Sequence, residues 1–307
     1  MVICLKMRAL VICLLLGSFV GMGAVVQADE STAPKIRVLV VDGFSNHDWK
    51  QTTAWVKGFL EKTGRFQVDV STAPASKDSN GWDQWRPSFA DYDVVVQNCN
   101  SHGGRPSWPK EVQTALEKYV RDGGGLYILH SANNAFPEWK EYNQMIGLGW
   151  RKKDFGVAIT IDDKGGEVRV PAGQGGGTSH GKRMDATIMR IGEHPLHKGF
   201  PKQWKAADLE VYSYARGPAE NLTVLSYARE PKTGLNFPIE WVVKYGKGRV
   251  YNSTFGHVWA NASNPPAIRC AGFQTLLLRV TEWLATGKVT TPVPEDFPTA
   301  EKVSLRD

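Results

Sequence analysis

The chain predicts an α/β fold, a doubly wound, mostly parallel sheet with helices on both faces. Three observations predict it. Short, continuous β-branched runs read as strands buried on both faces. Stretches with helical apolar spacing alternate with those runs. Glycines stand at several of the junctions, where helices stop.

Residues 36–41 form an unbroken apolar run ending at Asp42-Gly43, which suits the first strand of a parallel sheet. Residues 48–62 follow with Trp55, Val56, Phe59 and Leu60 at helical spacing, and Gly64 supplies a stop. Residues 66–70 read as a second strand, so the fold opens βαβ. After the turn-rich stretch 74–87, residues 92–97 give another strand. Val112, Ala115, Leu116, Tyr119 and Val120 then mark a helix, with Ser107 as its N-cap and Pro109 in its first turn. Gly123-Gly124-Gly125 ends it and leads into the strand 126–129. The second half is less regular. Residues 163–177 are glycine-rich and polar, 186–191 and 222–227 read as strands, and 239–244 pairs with 249–254 around Tyr245-Gly246-Lys247-Gly248. Residues 268–284 close the fold as an amphipathic helix carrying Phe273, Leu276, Leu277, Val280 and Leu284 along its apolar side. Residues 290–307 form a polar, proline-containing tail, expected on the surface or disordered.

The start of the chain points to export. Lys6 and Arg8 precede an apolar stretch, and Val26-Gln27-Ala28 resembles a cleavage site, so residues 1–28 read as a secretory signal. The product is then secreted or periplasmic, with no stable membrane insertion after cleavage. An uncleaved anchor is the rival, since the apolar run approaches spanning length; the acidic, polar stretch from Asp29 favours cleavage. The remainder fits one domain over 29–289. The net charge of +6 is scattered among acids rather than gathered on one helix face, so there is no nucleic-acid footprint. Cys99 and Cys270 leave open either a disulfide or two buried thiols.

Several segments in sequence carry a resemblance: Gly123-Gly124-Gly125-Leu126-Tyr127-Ile128-Leu129-His130, Gly149-Trp150-Arg151, His194-Pro195, Arg216-Gly217-Pro218-Ala219-Glu220-Asn221, Tyr245-Gly246-Lys247-Gly248-Arg249-Val250, Gly256-His257, and Gly272-Phe273-Gln274 with Thr281-Glu282-Trp283. In these the chain resembles the ThuA-like (trehalose utilisation) proteins over residues 36–288. The resemblance implies a flavodoxin-like fold similar to that of class I glutamine amidotransferases, and an association with disaccharide and oxidised-sugar metabolism. A shared fold does not carry a reaction with it.

In a doubly wound sheet, loops beyond the C-terminal strand ends converge on a ligand crevice. His130 directly follows the strand 126–129, where the related amidotransferases hold a nucleophilic cysteine. Here the position reads His130-Ser131, so amidotransfer through a thiolate lacks its nucleophile. Ser131 has no flanking glycines to form a nucleophile elbow and reads as a turn cap. A strand-end imidazole suits a general base, a sugar partner or a metal ligand. His257 follows the strand 249–254 beside Gly256. Glu210 matches the acid that the resemblance places before a tyrosine, here with Val211 between it and Tyr212. The expected catalytic set is therefore His130, Glu210 and His257. The expected substrate-binding set is His47, His102, Trp108, Trp150, His180 and Trp259, the indoles serving as platforms for a sugar's apolar face. Asp48 reads as a helix cap.

No histidine pair has the spacing of a helical zinc site, so the sequence requires no cofactor. A divalent metal held by three of His47, His130, His257 and Glu210 stays open. The expected function is an exported enzyme, an isomerase, lyase or hydrolase, acting on a small carbohydrate. A 3-keto sugar or glycoside undergoing proton transfer next to its carbonyl fits these residue types. A non-catalytic sugar-binding protein and a metal-dependent hydrolase remain as alternatives.

Overall fold

The computed structural model describes residues 34–306. The signal read at 1–28 lies outside them. Strand β1 (Ile36–Asp42) leads through α1 (Trp49–Lys62) to β2 (Phe66–Thr72), followed by β3 (Val94–Gln97), α2 (Lys110–Asp122), β4 (Gly125–Ile128) and α3 (Lys140–Ile146). Then come β5 (Val157–Ile161), β6 (Glu167–Val170), β7 (Ser179–His180), β8 (Met184–Arg190), β9 (Gln203–Leu209), β10 (Tyr212–Ser213) and β11 (Arg216–Gly217). The chain finishes with β12 (Leu222–Glu230), β13 (Leu235–Tyr245), β14 (Gly248–Ser253), α4 (Pro266–Arg269) and α5 (Ala271–Thr286).

The main sheet runs β2-β1-β3-β4-β14-β13-β12-β8-β9. The first five strands are parallel, and from β13 onward every neighbour is antiparallel. β5 joins β13 and carries β6 and β11, again antiparallel. The expectation of a mostly parallel sheet therefore holds for one half only, and the connections explain why. Tyr245 pairs with Gly248, leaving a two-residue turn in which Gly246 adopts φ +59°, and so short a link can join only antiparallel strands.

Side chains alternate along each strand and feed two cores. Val38 and Val40 meet Val56 and Leu60 of α1 and Leu276, Leu277 and Val280 of α5. Leu39 and Val41 meet Val112, Leu116 and Val120 of α2 and Tyr142, Met145 and Ile146 of α3. Burial on both faces is what the unbroken apolar run at 36–41 encodes. Helix α1 is capped as read: the Asp48 carboxylate accepts from the Gln51 amide at 3.0 Å. Ser107 is not the cap of α2, which begins one residue after Pro109 without a side-chain cap. β6 lies inside the polar stretch 163–177 that offered no strand pattern. Cys99 and Cys270 are both buried free thiols. Among the described residues, no helix is long and apolar enough to cross a membrane.

The closing stretch 290–306 is an ordered strap. Phe297 seats against Phe200 and Trp204, the Ala271 amide bonds the Ser304 carbonyl at 2.9 Å, and the Lys205 amide bonds Thr299 at 2.8 Å. Its root is the Glu282 carboxylate, which accepts from the amides of Thr290 and Thr291, from both their hydroxyls and from Arg65. Burial alone raises this carboxyl; the hydrogen bonds from Thr290, Arg65 and Thr291 outweigh it and hold its pKa down at about 2, against an ordinary 4.5. A depressed folded-state pKa stabilises the fold above the unfolded value, and that stabilisation drains as pH falls from 4.5 toward 2. Glu282→Gln is expected to lower stability by about 1–3 kcal/mol at neutral pH. In thermal melts, the gap between variant and wild type should close toward pH 2. A gap that stays constant with pH would disprove the role.

Candidate functional site

Four polar residues from separate parts of the chain meet beyond the strand ends. His47 lies between β1 and α1, His130 directly follows β4, His257 lies in the loop after β14, and Glu210 stands between β9 and β10. β1, β4 and β14 are parallel, with β3 between β1 and β4, so their C-terminal loops share one edge of the sheet. One potential ligand atom from each of the four residues lies within 4.8 Å of the others. The rings of His47, His130 and His257 are mutually edge-on with centroids 5.0 to 5.1 Å apart.

Each imidazole is oriented by a partner on Nδ1. His130 Nδ1 donates to the Thr254 carbonyl at 2.8 Å, which leaves Nε2 with a lone pair. Its backbone sits at φ +43°, an uncommon conformation for a residue with a side chain, and this turns the ring in from the end of β4. His47 Nδ1 donates to the Asn46 carboxamide oxygen at 3.0 Å, and that oxygen also accepts from Asn100. His257 differs: Arg183, which can only donate, approaches its Nδ1 at 2.8 Å, so its proton is on Nε2. That Nε2–H faces Glu210 Oε1 at 3.2 Å, while His130 Nε2 lies 3.6 Å from Glu210 Oε2. His180 Nε2 stands 3.6 Å from Oε1 at the exposed side.

Burial sets the electrostatics. Desolvation, with the neighbouring imidazoles and cations adding, lowers the pKa of His47 to about 2 and pushes His257 down strongly. Burial likewise lowers His130 to about 4, against the pull of its bond to Thr254. All three imidazoles are therefore neutral at physiological pH. Burial raises the Glu210 carboxyl, while His180 and Arg183 oppose that shift.

The remaining predicted residues are dispersed around this centre. Trp259 is 48% exposed and sets its edge against His47 at 5.0 Å while stacking parallel to His257. Trp150 lies 5.0 Å from the Tyr212 ring and 5.7 Å from His180, and Tyr212 lies 5.9 Å from His130. His102 is outside the cluster. It lines a cleft of about 510 Å³ with Trp150, Asn134, Lys152 and Thr178, a size that admits a sugar ring. Trp108 is a correction: only 2% exposed, it packs among Trp85, Phe136 and Trp139 and is a core residue with no face for a ligand. A larger cavity of about 720 Å³ opens beside Asp93 and Gly124, at the N-terminal ends of β3 and β4, remote from this chemistry. Residues 171–176 are held by Arg216, whose guanidinium donates to the carbonyls of Gly156, Pro171, Gln174 and Gly176.

Arg183 is a residue of this cluster's surroundings that sequence reasoning missed. It sits exposed after Lys182 with no motif around it, and only the reach of its side chain to His257 and Asp208 identifies it. Tyr212 entered the sequence reading only as a neighbour of Glu210. Here it forms the wall between His130 and Trp150.

The family model for ThuA, described as trehalose utilisation, matches residues 37–284. A crystallised protein from Parabacteroides merdae described as ThuA-like is 35% identical, with a TM-score of 0.83 over 89% of this chain and 98% of that one. A cytoplasmic protein from Salmonella typhimurium LT2 is 14% identical, with a TM-score of 0.45 over 82% of this chain and all of that one. A glutamine amidotransferase from Thermotoga maritima is 10% identical, with a TM-score of 0.37 over 72% of this chain and 76% of that one. No curated protein matches the chain.

Proposed function

We propose, starting from the fact that the chain belongs to the ThuA family of trehalose utilisation, that it is an exported enzyme acting on a keto-sugar or glycoside by proton transfer next to a carbonyl. The observation that carries this reading is the meeting of donor and acceptor nitrogens around one carboxylate. His257 offers an Nε2–H backed by Glu210, and His47 and His130 present nitrogens without protons. The His257 Nε2–H can give a proton and the Glu210 carboxylate, whose pKa burial raises, can receive one, which is what moving a proton beside a carbonyl requires. Trp150 and Trp259 flank the centre with the flat apolar surface that a sugar ring stacks on. The cleft beside Trp150 has room for a second ring.

The test is solvent exchange. The purified protein is incubated in deuterated water with a panel of 3-keto glycosides and their parent disaccharides, and the sugars are followed by NMR and mass spectrometry. Deuterium entering at the carbon next to the carbonyl, or a turned-over product, is expected. Saturable binding with neither exchange nor product after long incubation would replace this reading with that of a sugar-binding protein.

A further inference from the structure

We infer that His47 Nε2, His130 Nε2 and Glu210 Oε2 form a binding site for one divalent transition-metal ion. The inference rests on the reading that this constellation is the reactive centre, and it names what the open nitrogens hold. Nε2 of His47 and Nε2 of His130 are both buried and have no hydrogen-bond partner among the described residues. His130 is only 3% exposed. Leaving one such acceptor buried and unmet is costly, so two within 4.8 Å of each other call for an occupant.

The charges identify that occupant. His130 donates its proton on Nδ1, so the atom it turns toward Glu210 is a lone pair, and at 3.6 Å it faces the lone pairs of Oε2. Two acceptors facing each other with no donor between them repel, and a cation converts that repulsion into two bonds. Ligands on a tetrahedral ion with bonds of about 2.0–2.2 Å stand about 3.4 Å apart, close to the spacing already present.

The outer ring fits as well. Metal-binding histidines donate their other ring N–H to an acceptor that fixes their tautomer. His47 does so to Asn46 and His130 to Thr254. The second oxygen of Glu210 stands 3.2 Å from His257 Nε2. His257 belongs to this outer ring and not to the ligand set, because Arg183 occupies the only lone pair of its ring. Two histidines and a carboxylate would leave at least one position open, the arrangement of a catalytic rather than a closed structural site. The sequence left open which three of His47, His130, His257 and Glu210 would bind, since no two of them share an element.

The test uses the full chain freed of metal by dialysis against a chelator, then titrated with zinc alone and separately with cobalt(II). One zinc per chain by elemental analysis is expected, and cobalt should produce the visible absorption of a four- or five-coordinate ion. His47→Ala and Glu210→Gln, checked for folding by circular dichroism, are expected to weaken zinc by more than about 100-fold, and His257→Ala by about 10- to 100-fold. His47 lies in a loop only partly buried, so its variant is the one expected to keep the fold. Failure to bind zinc at micromolar concentration, or binding unchanged in His47→Ala, would overturn the inference. The two readings fail separately: exchange of keto-sugars by the metal-free chain at the wild-type rate removes the metal and keeps the enzyme. A metal-loaded chain inert toward every sugar keeps the metal and removes the proposed reaction.

Discussion

Glu210→Gln is expected to lower kcat on a keto-sugar substrate by about 10²–10⁴-fold, the usual scale for removing an acid-base group, while leaving the melting temperature of the metal-free chain unchanged or slightly raised. The two halves of this expectation have one cause. Glu210 is buried at 6% exposure with its carboxylate among three imidazoles, an arrangement that is costly to desolvate and that desolvation pushes toward the neutral form. Glutamine has the same shape without the charge. In the metal-free chain its carbonyl oxygen keeps the place beside His257 Nε2, and its amide can donate to His130 Nε2, so the variant satisfies a group that the metal-free wild type leaves bare. What disappears is the charge beside His257 and His130. A gain in stability with a loss of turnover is the mark of a residue kept for function. Turnover within about threefold of wild type would show that Glu210 is not part of the reaction.

The largest stability effect is expected far from that centre, at His197. Its Nε2 lies 2.6 Å from Glu240 Oε1, and both side chains are at most 1% exposed. The other carboxylate oxygen and His197 Nδ1 have no hydrogen-bond partner among the described residues. Glu240 thus depends on this one imidazole. His197→Ala strands the carboxylate in the core and should cost about 3–5 kcal/mol. At about 2–4 °C per kcal/mol for a domain near this size, the melting temperature should fall by on the order of 10 °C. Replacing both residues by leucine should recover most of the loss, because no unpaired acid then remains. A single variant that loses less than about 1 kcal/mol, or a double variant worse than the single, would refute the argument. Turnover at low temperature should be unaffected in the single variant, since neither residue touches the reactive centre.

The parallel half of the fold was legible because burial on both faces forces continuous β-branched runs, as at 36–41, and because α1 and α5 keep their apolar residues at helical spacing. The antiparallel half was legible only in part: β8, β12 and the β13–β14 pair were read, while the strands between and beside them were not. β6 reads Glu-Val-Arg-Val and is largely exposed, so it carries no apolar alternation, and β7, β10 and β11 are two residues each. β9 places Lys205 and Asp208 among its buried residues and so breaks any simple pattern. His47, His130, Glu210 and His257 were each legible as polar residues just beyond a strand end. Their meeting at one crevice was expected as well; what the pattern did not give was their mutual geometry, which depends on how the antiparallel half folds back to bring β9 there. Trp108 misled for a related reason: a loop position near the crevice does not reveal which way an indole turns, and this one turns into the aromatic core.

The bond from His130 to the Thr254 carbonyl joins residues 124 apart in sequence, and Glu210 arrives from a third region of the chain. A centre assembled from such distant segments cannot exist in a partly folded molecule, since the loop-closure entropy of every long-range pairing must be met first. During refolding from denaturant, helix and sheet signals should recover before the pocket does. Ion uptake or sugar turnover would then mark the last event of folding, making the reactive centre a sensor of the native topology as a whole.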